Sequence, residues 1–135
     1  MRGVLDTNVL LSGLMVPDSV PGKAVAAWRE CRFDLVLPLE QLEEIGRVLA
    51  YAKIRRIPGW DDETIGRFLR QLYLRAEVVE PEPRAVETPR DADDRHVLAA
   101  LVHAKADLLV SGDGDLLALR ERYAIETPAE FAKRL

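Results

Sequence analysis

The sequence has a single cysteine, no long apolar run and no excess of basic residues. Cys31 has no partner for an internal disulfide, and no Cys-x-x-Cys or Cys/His metal-binding spacing is present. The longest uncharged run covers about eleven residues from position 7, whereas roughly 20 are needed to cross a bilayer. Asp6 interrupts any signal-peptide core. These absences predict a soluble, cytoplasmic protein.

The charge balance excludes binding to nucleic acid by bulk positive charge. The chain has 23 acidic and 19 basic residues, for a formal net charge of -4. A protein held on RNA or DNA by its overall charge would have the opposite balance, so any such contact must use a local basic patch or metal ions. Hydrophobic residues make up 48% of the 135 positions, which suits one core and predicts a single domain over residues 1–135.

Short apolar runs alternate with helical patterns along the chain, as in βαβ units around a parallel sheet. The predicted strands are 3–5, 33–37, 77–79, 108–110 and 123–126, and the predicted helices are 20–31, 39–51, 61–74, 94–106 and 129–133. Residues 80–93 contain three prolines and predict a surface loop. The fold class is therefore α/β, with a central parallel sheet of four to five strands and helices on both faces.

Two carboxylates follow predicted strands. Asp6 comes directly after the first strand, and Asp113 comes just after the fourth. Ligands of an open parallel sheet collect at the carboxyl ends of its strands. The two carboxylates would lie side by side if the first and fourth strands were neighbours, which the pattern leaves open.

Two further acids stand at informative positions on predicted helices. Glu44 borders the apolar face of its helix, whereas Glu43 lies off that face; the alternative for Glu44 is ordinary solvation. Asp94 begins the helix that leads into the fourth strand. Its alternative role is a helix N-cap, for which Asp91 and Asp93 compete.

A group of three or four carboxylates needs a cation or raised pKa values, because like charges repel strongly at short range. Oxygen ligands without Cys or His suit the hard ions Mg²⁺ and Mn²⁺. His96 and His103 share a face of one predicted helix, but their spacing is too long for one ion. The pattern therefore predicts metal-assisted hydrolysis of a phosphodiester, with metal-bound water as the nucleophile.

Four segments resemble, in the same order, the motifs of PIN-domain ribonucleases. They are residues 4–12 (VLDTNVLLS), 44–49 (EIGRVL), 91–94 (DADD) and 109–117 (LVSGDGDLL). Residues 125–131 resemble the usual ending of the toxin components of type II toxin–antitoxin systems. The similarity covers nearly the whole chain, and the first and last motifs are specific together.

The resemblance implies a PIN-like, three-layer α/β/α fold and a metal-dependent endoribonuclease that leaves 5′-phosphate and 3′-hydroxyl ends. It implies RNA as substrate, an antitoxin partner and a homodimer. It also implies a set of site residues. The acidic quartet that holds the metal is Asp6, Glu44, Asp94 and Asp113, with Asp115 as an auxiliary acid and Thr7, Asn8 and Ser111 as polar groups that orient the ligands. Ser111 stands where the family more usually has threonine, and it keeps the hydroxyl.

A local excess of basic residues between positions 47 and 75 is a candidate RNA-binding flank. Arg55 and Arg56, beside a Pro-Gly turn, are the first candidates, and the alternative is a set of solvated helix faces. Trp60 and the apolar stripe over 65–74 are candidates for a dimer patch.

Three other functions compete with the nuclease. A haloacid-dehalogenase-like phosphatase also has an Asp after its first strand, but it needs a second Asp where this chain has Asn8, and Lys105 lies on the wrong side of the fourth strand. A phospho-accepting receiver domain would need an acidic pair at the end of the first strand, and this chain has no such pair there. A PIN-like fold that only binds would keep clustered carboxylates without a metal, which is electrostatically costly.

Overall fold

A five-stranded sheet organises the computed structural model, which describes residues 1–81 and 95–135. The strands are β1 (Arg2–Leu5), β2 (Asp34–Pro38), β3 (Glu77–Val79), β4 (Leu108–Val110) and β5 (Ile125–Glu126). The helices are α1 (Thr7–Met15), α2 (Val20–Arg29), α3 (Leu39–Leu49), α4 (Ala52–Arg55), α5 (Asp62–Arg75), α6 (Arg95–His103), α7 (Gly114–Leu117) and α8 (Pro128–Ala132). The predicted α/β class is confirmed. Most of the predicted loop, and the predicted helix start at Asp94, lie outside the described residues.

The strands are all parallel and lie in the order β3-β2-β1-β4-β5. Strand β1 pairs with β4, so that Gly3 lies opposite Leu108 and Leu5 opposite Val110. The chain fills one half of the sheet from β1 to β3 and the other half with β4 and β5. Open α/β sheets bind ligands where this order reverses, at the carboxyl ends of the strands. In this chain that point lies between β1 and β4.

Side chains alternate between two apolar layers along each central strand. Leu5 and Leu35 pack against α1, α2, α3, α5 and α8 on one face of the sheet. Val4 and Val36 pack against α6 and α7 on the other face. A strand with both faces covered carries an apolar run rather than an alternating pattern, which is why short apolar runs predicted these strands. The arrangement confirms helices on both faces.

Helix α1 was not predicted from the sequence. Its nine residues are all uncharged, so no charged stripe marks a helical period. Asp6 begins the helix as its N-cap and accepts hydrogen bonds from the backbone N–H groups of Asn8 and Val9, at 2.7 and 3.4 Å. An Asp ahead of an apolar run was the one available signal. The short helices α4 and α7 were also not predicted.

Two glycines allow close packing at α1, α2 and the turn that joins them, since Gly13 of α1 meets α2 and Gly22 of α2 meets that turn. A Cβ atom on Gly13 would lie 2.5 Å from the carbonyl oxygen of Pro21, and one on Gly22 would lie 2.1 Å from that of Pro17. Both distances are far inside van der Waals contact. The close packing therefore depends on the absence of side chains at these positions, and it holds α1 against the rest of the helical layer.

Helix α5 begins after an N-cap at Asp61. The Asp61 carboxylate accepts a hydrogen bond from the backbone N–H of Thr64 at 2.8 Å. This bond is the main reason why the pKa of Asp61 lies below its usual value. Further along, Phe68 and Leu72 are buried, whereas Leu74 at the end of the helix is 75% exposed. None of the described helices is long and apolar enough to cross a membrane.

Candidate active site

Asp6 is a buried carboxylate at the end of β1, with 5% of its surface exposed. Its Oδ1 atom accepts the two N-cap hydrogen bonds from the first turn of α1. Its Oδ2 atom accepts a hydrogen bond of 2.5 Å from the hydroxyl of Ser111. The backbone N–H of Asp6 continues the sheet by donating to the carbonyl of Val110. Both oxygens and the main chain are therefore held in place, and the carboxylate has one defined orientation.

Ser111 connects Asp6 to Asp113. It follows β4 directly and is fully buried. The same hydroxyl that donates to Asp6 accepts a hydrogen bond of 3.0 Å from the backbone N–H of Asp113. Asp113 in turn begins α7, and its Oδ1 accepts from the backbone N–H of Asp115 at 2.7 Å. Strands β1 and β4 are neighbours, which is the condition that the sequence left open for the acids after them to lie side by side.

The two acids line one cleft of about 310 Å³ at this edge of the sheet. The other residues that line it include Asn8 and Ser12 from α1 and Gly112 after β4. Asn8 is exposed, and its backbone N–H donates to the Asp6 carboxylate that caps α1.

Glu44 lies on α3 beside the same edge, with its side chain half-buried. The Thr7 hydroxyl, one residue from Asp6, donates to Glu44 Oε2 at 3.4 Å. Glu43 is exposed to solvent. Of the two neighbouring glutamates, Glu44 is therefore the one connected to the end of β1, as the helical pattern indicates.

His96 lies between two glutamates of α3 and is 8% exposed. Its Nε2 atom is 3.5 Å from Glu44 Oε2, and its Nδ1 atom is 3.8 Å from Glu40 Oε2. The sequence pattern related His96 only to His103, which is exposed on the same helix. The position beside Glu44 could not be found from the sequence, because it depends on the packing of α6 against α3. A groove of about 460 Å³ opens beside this cluster, with Arg47 and Tyr51 among its walls.

The donor atoms in the cleft suit a hard divalent cation. Carboxylate and hydroxyl oxygens are the ligands that Mg²⁺ and Mn²⁺ prefer, and the described residues that line the cleft include no His or Cys. Within residues 1–81 and 95–135, no three His, Cys, Asp or Glu side chains are grouped closely enough to hold a metal ion. Asp94, the remaining member of the expected quartet, lies outside the described residues. Asp6, Glu44 and Asp113 are the described members of that quartet, and Asp6 and Asp113 are the two that line this cleft.

Several arginines of the basic flank already have acidic partners. Arg55 pairs with Asp62 at 3.0 Å, and Arg67 pairs with Glu63 at 3.2 Å. Arg56 is exposed. All of these pairs lie at the surface, where a salt bridge contributes little and can exchange for a phosphate contact. The RNA-binding role of Arg55 and Arg56 stays a prediction.

A family model for the PIN domain matches residues 2–115. The chain belongs to the PIN-domain family. The match includes β1 to β4 and extends through Asp113 and Asp115. It therefore contains both acids that line the cleft, Asp6 and Asp113.

Other proteins resemble this PIN domain in sequence or in structure. An uncharacterized protein of Methanocaldococcus jannaschii is 28% identical over 97% of this chain and 89% of that protein. The structure of VapBC-1 from nontypeable Haemophilus influenzae matches with a TM-score of 0.64 and 13% identity, over 96% of this chain and 99% of that one. The structure of VapBC2 from Rickettsia felis, bound to a DNA fragment from their promoter, matches with a TM-score of 0.61 and 13% identity, over 94% and 98%. At these identities the structural matches show the fold.

Proposed function

We propose that this PIN domain is a Mg²⁺- or Mn²⁺-dependent endoribonuclease and the toxin of a toxin–antitoxin pair. The observation that carries the proposal is the hydroxyl of Ser111 at the point where the strand order reverses, which donates to the carboxylate of Asp6 and accepts from the backbone N–H of Asp113. The family supports nuclease activity. The likeness to the VapBC structures supports the toxin role and an antitoxin protein as partner.

The proposed site has three kinds of residues. Asp6 and Asp113 hold the cation, with Glu44 and Asp94 completing the quartet and Asp115 as an auxiliary acid. A bound divalent ion would supply an activated water and neutralise charge on the phosphate. The hydroxyl of Ser111 keeps Asp6 oriented, the hydroxyl of Thr7 restrains Glu44, and the backbone N–H of Asn8 holds the second oxygen of Asp6.

Exposed residues outside the lining of this cleft are proposed to contact partners. Arg55 and Arg56 are the proposed contacts to RNA phosphates. A homodimer is proposed with the antitoxin bound to it, and the exposed side chains of Tyr73 and Leu74 on α5 are candidates for such contacts.

The proposal predicts metal-dependent cleavage of RNA by the purified protein. We expect structured and unstructured RNAs to be cut internally in Mg²⁺ or Mn²⁺ and to stay intact in EDTA, because the carboxylates alone provide no activated water. The products are expected to have 5′-phosphate and 3′-hydroxyl ends, which end-labelling and a phosphate-dependent exonuclease would identify. Intact RNA under all conditions, with no shift in melting temperature on adding either metal, would indicate a domain that only binds.

Ser111 provides a second, graded test of the site. Replacing it by alanine removes the hydroxyl that orients Asp6 and leaves a buried carboxylate oxygen without its donor. We expect Ser111→Ala to lower cleavage by about 10–100-fold, the usual cost of losing a group that orients a metal ligand. The measurement is the initial rate of RNA cleavage at saturating Mg²⁺.

The matched control for that test is Ser111→Thr. Threonine keeps the hydroxyl, and it adds one methyl group at a fully buried position. Its rate should be much closer to that of the unchanged protein than the rate of Ser111→Ala. Equal rates for all three proteins would show that the hydrogen bond to Asp6 does not contribute to catalysis.

A further inference from the structure

The hydrogen-bond ladder between β1 and β2 stops just before the candidate site. Asp34 donates its backbone N–H to the carbonyl of Met1 at 2.9 Å, and donors in a parallel ladder advance by two residues on both strands. Continuing this register, the residue due to donate to the carbonyl of Leu5 is Pro38. Proline has no N–H, so the ladder cannot provide that bond.

The side chain of Gln41 replaces the missing donor. Its Nε2 atom donates to the carbonyl oxygen of Leu5 at 2.6 Å. Gln41 lies in α3, three residues after Pro38, and is fully buried. The bond joins the start of α3 to the residue that precedes Asp6.

Gln41 and Glu44 lie on the same side of α3, because residues three apart on a helix are neighbours. Gln41 donates a hydrogen bond to the carbonyl of Leu5, and Glu44 accepts one from the hydroxyl of Thr7. Asp6 stands between Leu5 and Thr7 in the chain. The two contacts therefore set how far the α3 carboxylate lies from the β1 carboxylate.

Gln41 is not the side chain that would give this buried position the highest stability. The Oε1 atom of Gln41 is buried and has no hydrogen-bond partner among the described residues. A buried acceptor without a partner lowers the stability of the folded state. The side-chain amide of Gln41 therefore lowers stability through its unpaired oxygen and makes one hydrogen bond, to the backbone at the end of β1.

We propose that Gln41 is a positioning residue for divalent-cation binding, acting through the Leu5 carbonyl to set the separation of Glu44 and Asp6. This inference rests on the proposed function, since it assigns both carboxylates to one ion. Gln41 does not itself contact the ion. Its contribution is the placement of α3 relative to the end of β1.

The test is Mn²⁺ binding to the full chain without RNA, measured by isothermal titration calorimetry. Gln41→Leu removes the donor and nearly keeps the volume of the side chain. We expect it to bind Mn²⁺ about tenfold more weakly, the lower end of the usual cost for an outer-shell group. Its cleavage should show a lower kcat at limiting Mn²⁺ with an unchanged KM for RNA. If Gln41→Leu does not fold, Gln41→Met, which is unbranched and more adaptable, is tested in the same way.

The matched control is Leu49→Val, which also alters a fully buried side chain of α3 but at the far end of the helix. It should lower the melting temperature and leave the Mn²⁺ affinity unchanged. The inference is overturned if the Gln41 variant binds Mn²⁺ like the unchanged protein, or if both variants weaken binding equally. Absence of Mn²⁺ binding by the unchanged protein would instead reject the metal site itself, and the inference with it.

Discussion

Asp6→Asn is expected to abolish RNA cleavage and leave the fold intact. The amide has nearly the shape of the carboxylate, and its oxygen can still accept from the first turn of α1. It lacks the negative charge that attracts a divalent ion, and its NH₂ group would face the ion or the Ser111 hydroxyl. The loss should exceed the roughly 10–100-fold that outer-shell groups cost, because Asp6 is proposed as a direct ligand. The measurement is the cleavage rate together with the circular dichroism spectrum and melting temperature.

The control for this variant is Asp34→Asn, which makes the same chemical change at the opposite end of the sheet. Asp34 is exposed at the start of β2, away from the carboxyl ends of the strands. Its cleavage rate should equal that of the unchanged protein. Full activity in purified Asp6→Asn would reject the acidic quartet, and a similar loss in Asp34→Asn would point to a general effect of charge.

Gly22→Ala is expected to destabilise the folded protein strongly, and more than the other methyl additions, Gly46→Ala and Ser111→Thr. The new Cβ atom would lie 2.1 Å from the Pro17 carbonyl oxygen and 2.8 Å from that of Val16. Both neighbours are backbone atoms, so a rotamer change cannot relieve the contact. Overpacking typically costs about 1–3 kcal/mol, and we expect about 3 kcal/mol or more here. The melting temperature should fall by about 10 °C, and the variant should accumulate poorly in the soluble fraction.

Gly46→Ala is the matched control for that variant. Gly46 lies within α3, and a Cβ atom there would meet nothing within 4 Å. Alanine in a helix interior is favoured over glycine by up to about 1 kcal/mol, so this variant should melt at the same temperature or slightly higher. If Gly22→Ala and Gly46→Ala melted at the same temperature, the close packing of α2 against the turn at Val16 and Pro17 would not contribute to stability.

Local patterns in the sequence were enough to predict the sheet and to select its candidate acids. Five short apolar runs correspond to the five strands, and the helical periods over 61–74 correspond to α5 with its Asp61 cap. The motifs identified the family that the match over residues 2–115 shows. These features succeed because each depends on residues close together in the chain. Helix α1 was missed for the same reason, since its apolar run has no local period to recognise.

The arrangement of the site followed from contacts between distant parts of the chain. The Ser111 hydroxyl meets Asp6 across 105 positions, Thr7 meets Glu44 across 37, and Gln41 reaches Leu5 across 36. The strand pattern predicts that Asp6 and Asp113 each follow a strand, but it does not determine which strands are neighbours. Only the tertiary structure decides this, because β1 and β4 are distant in the chain and pair with each other between two apolar helical layers, which places Asp6 and Asp113 in one cleft.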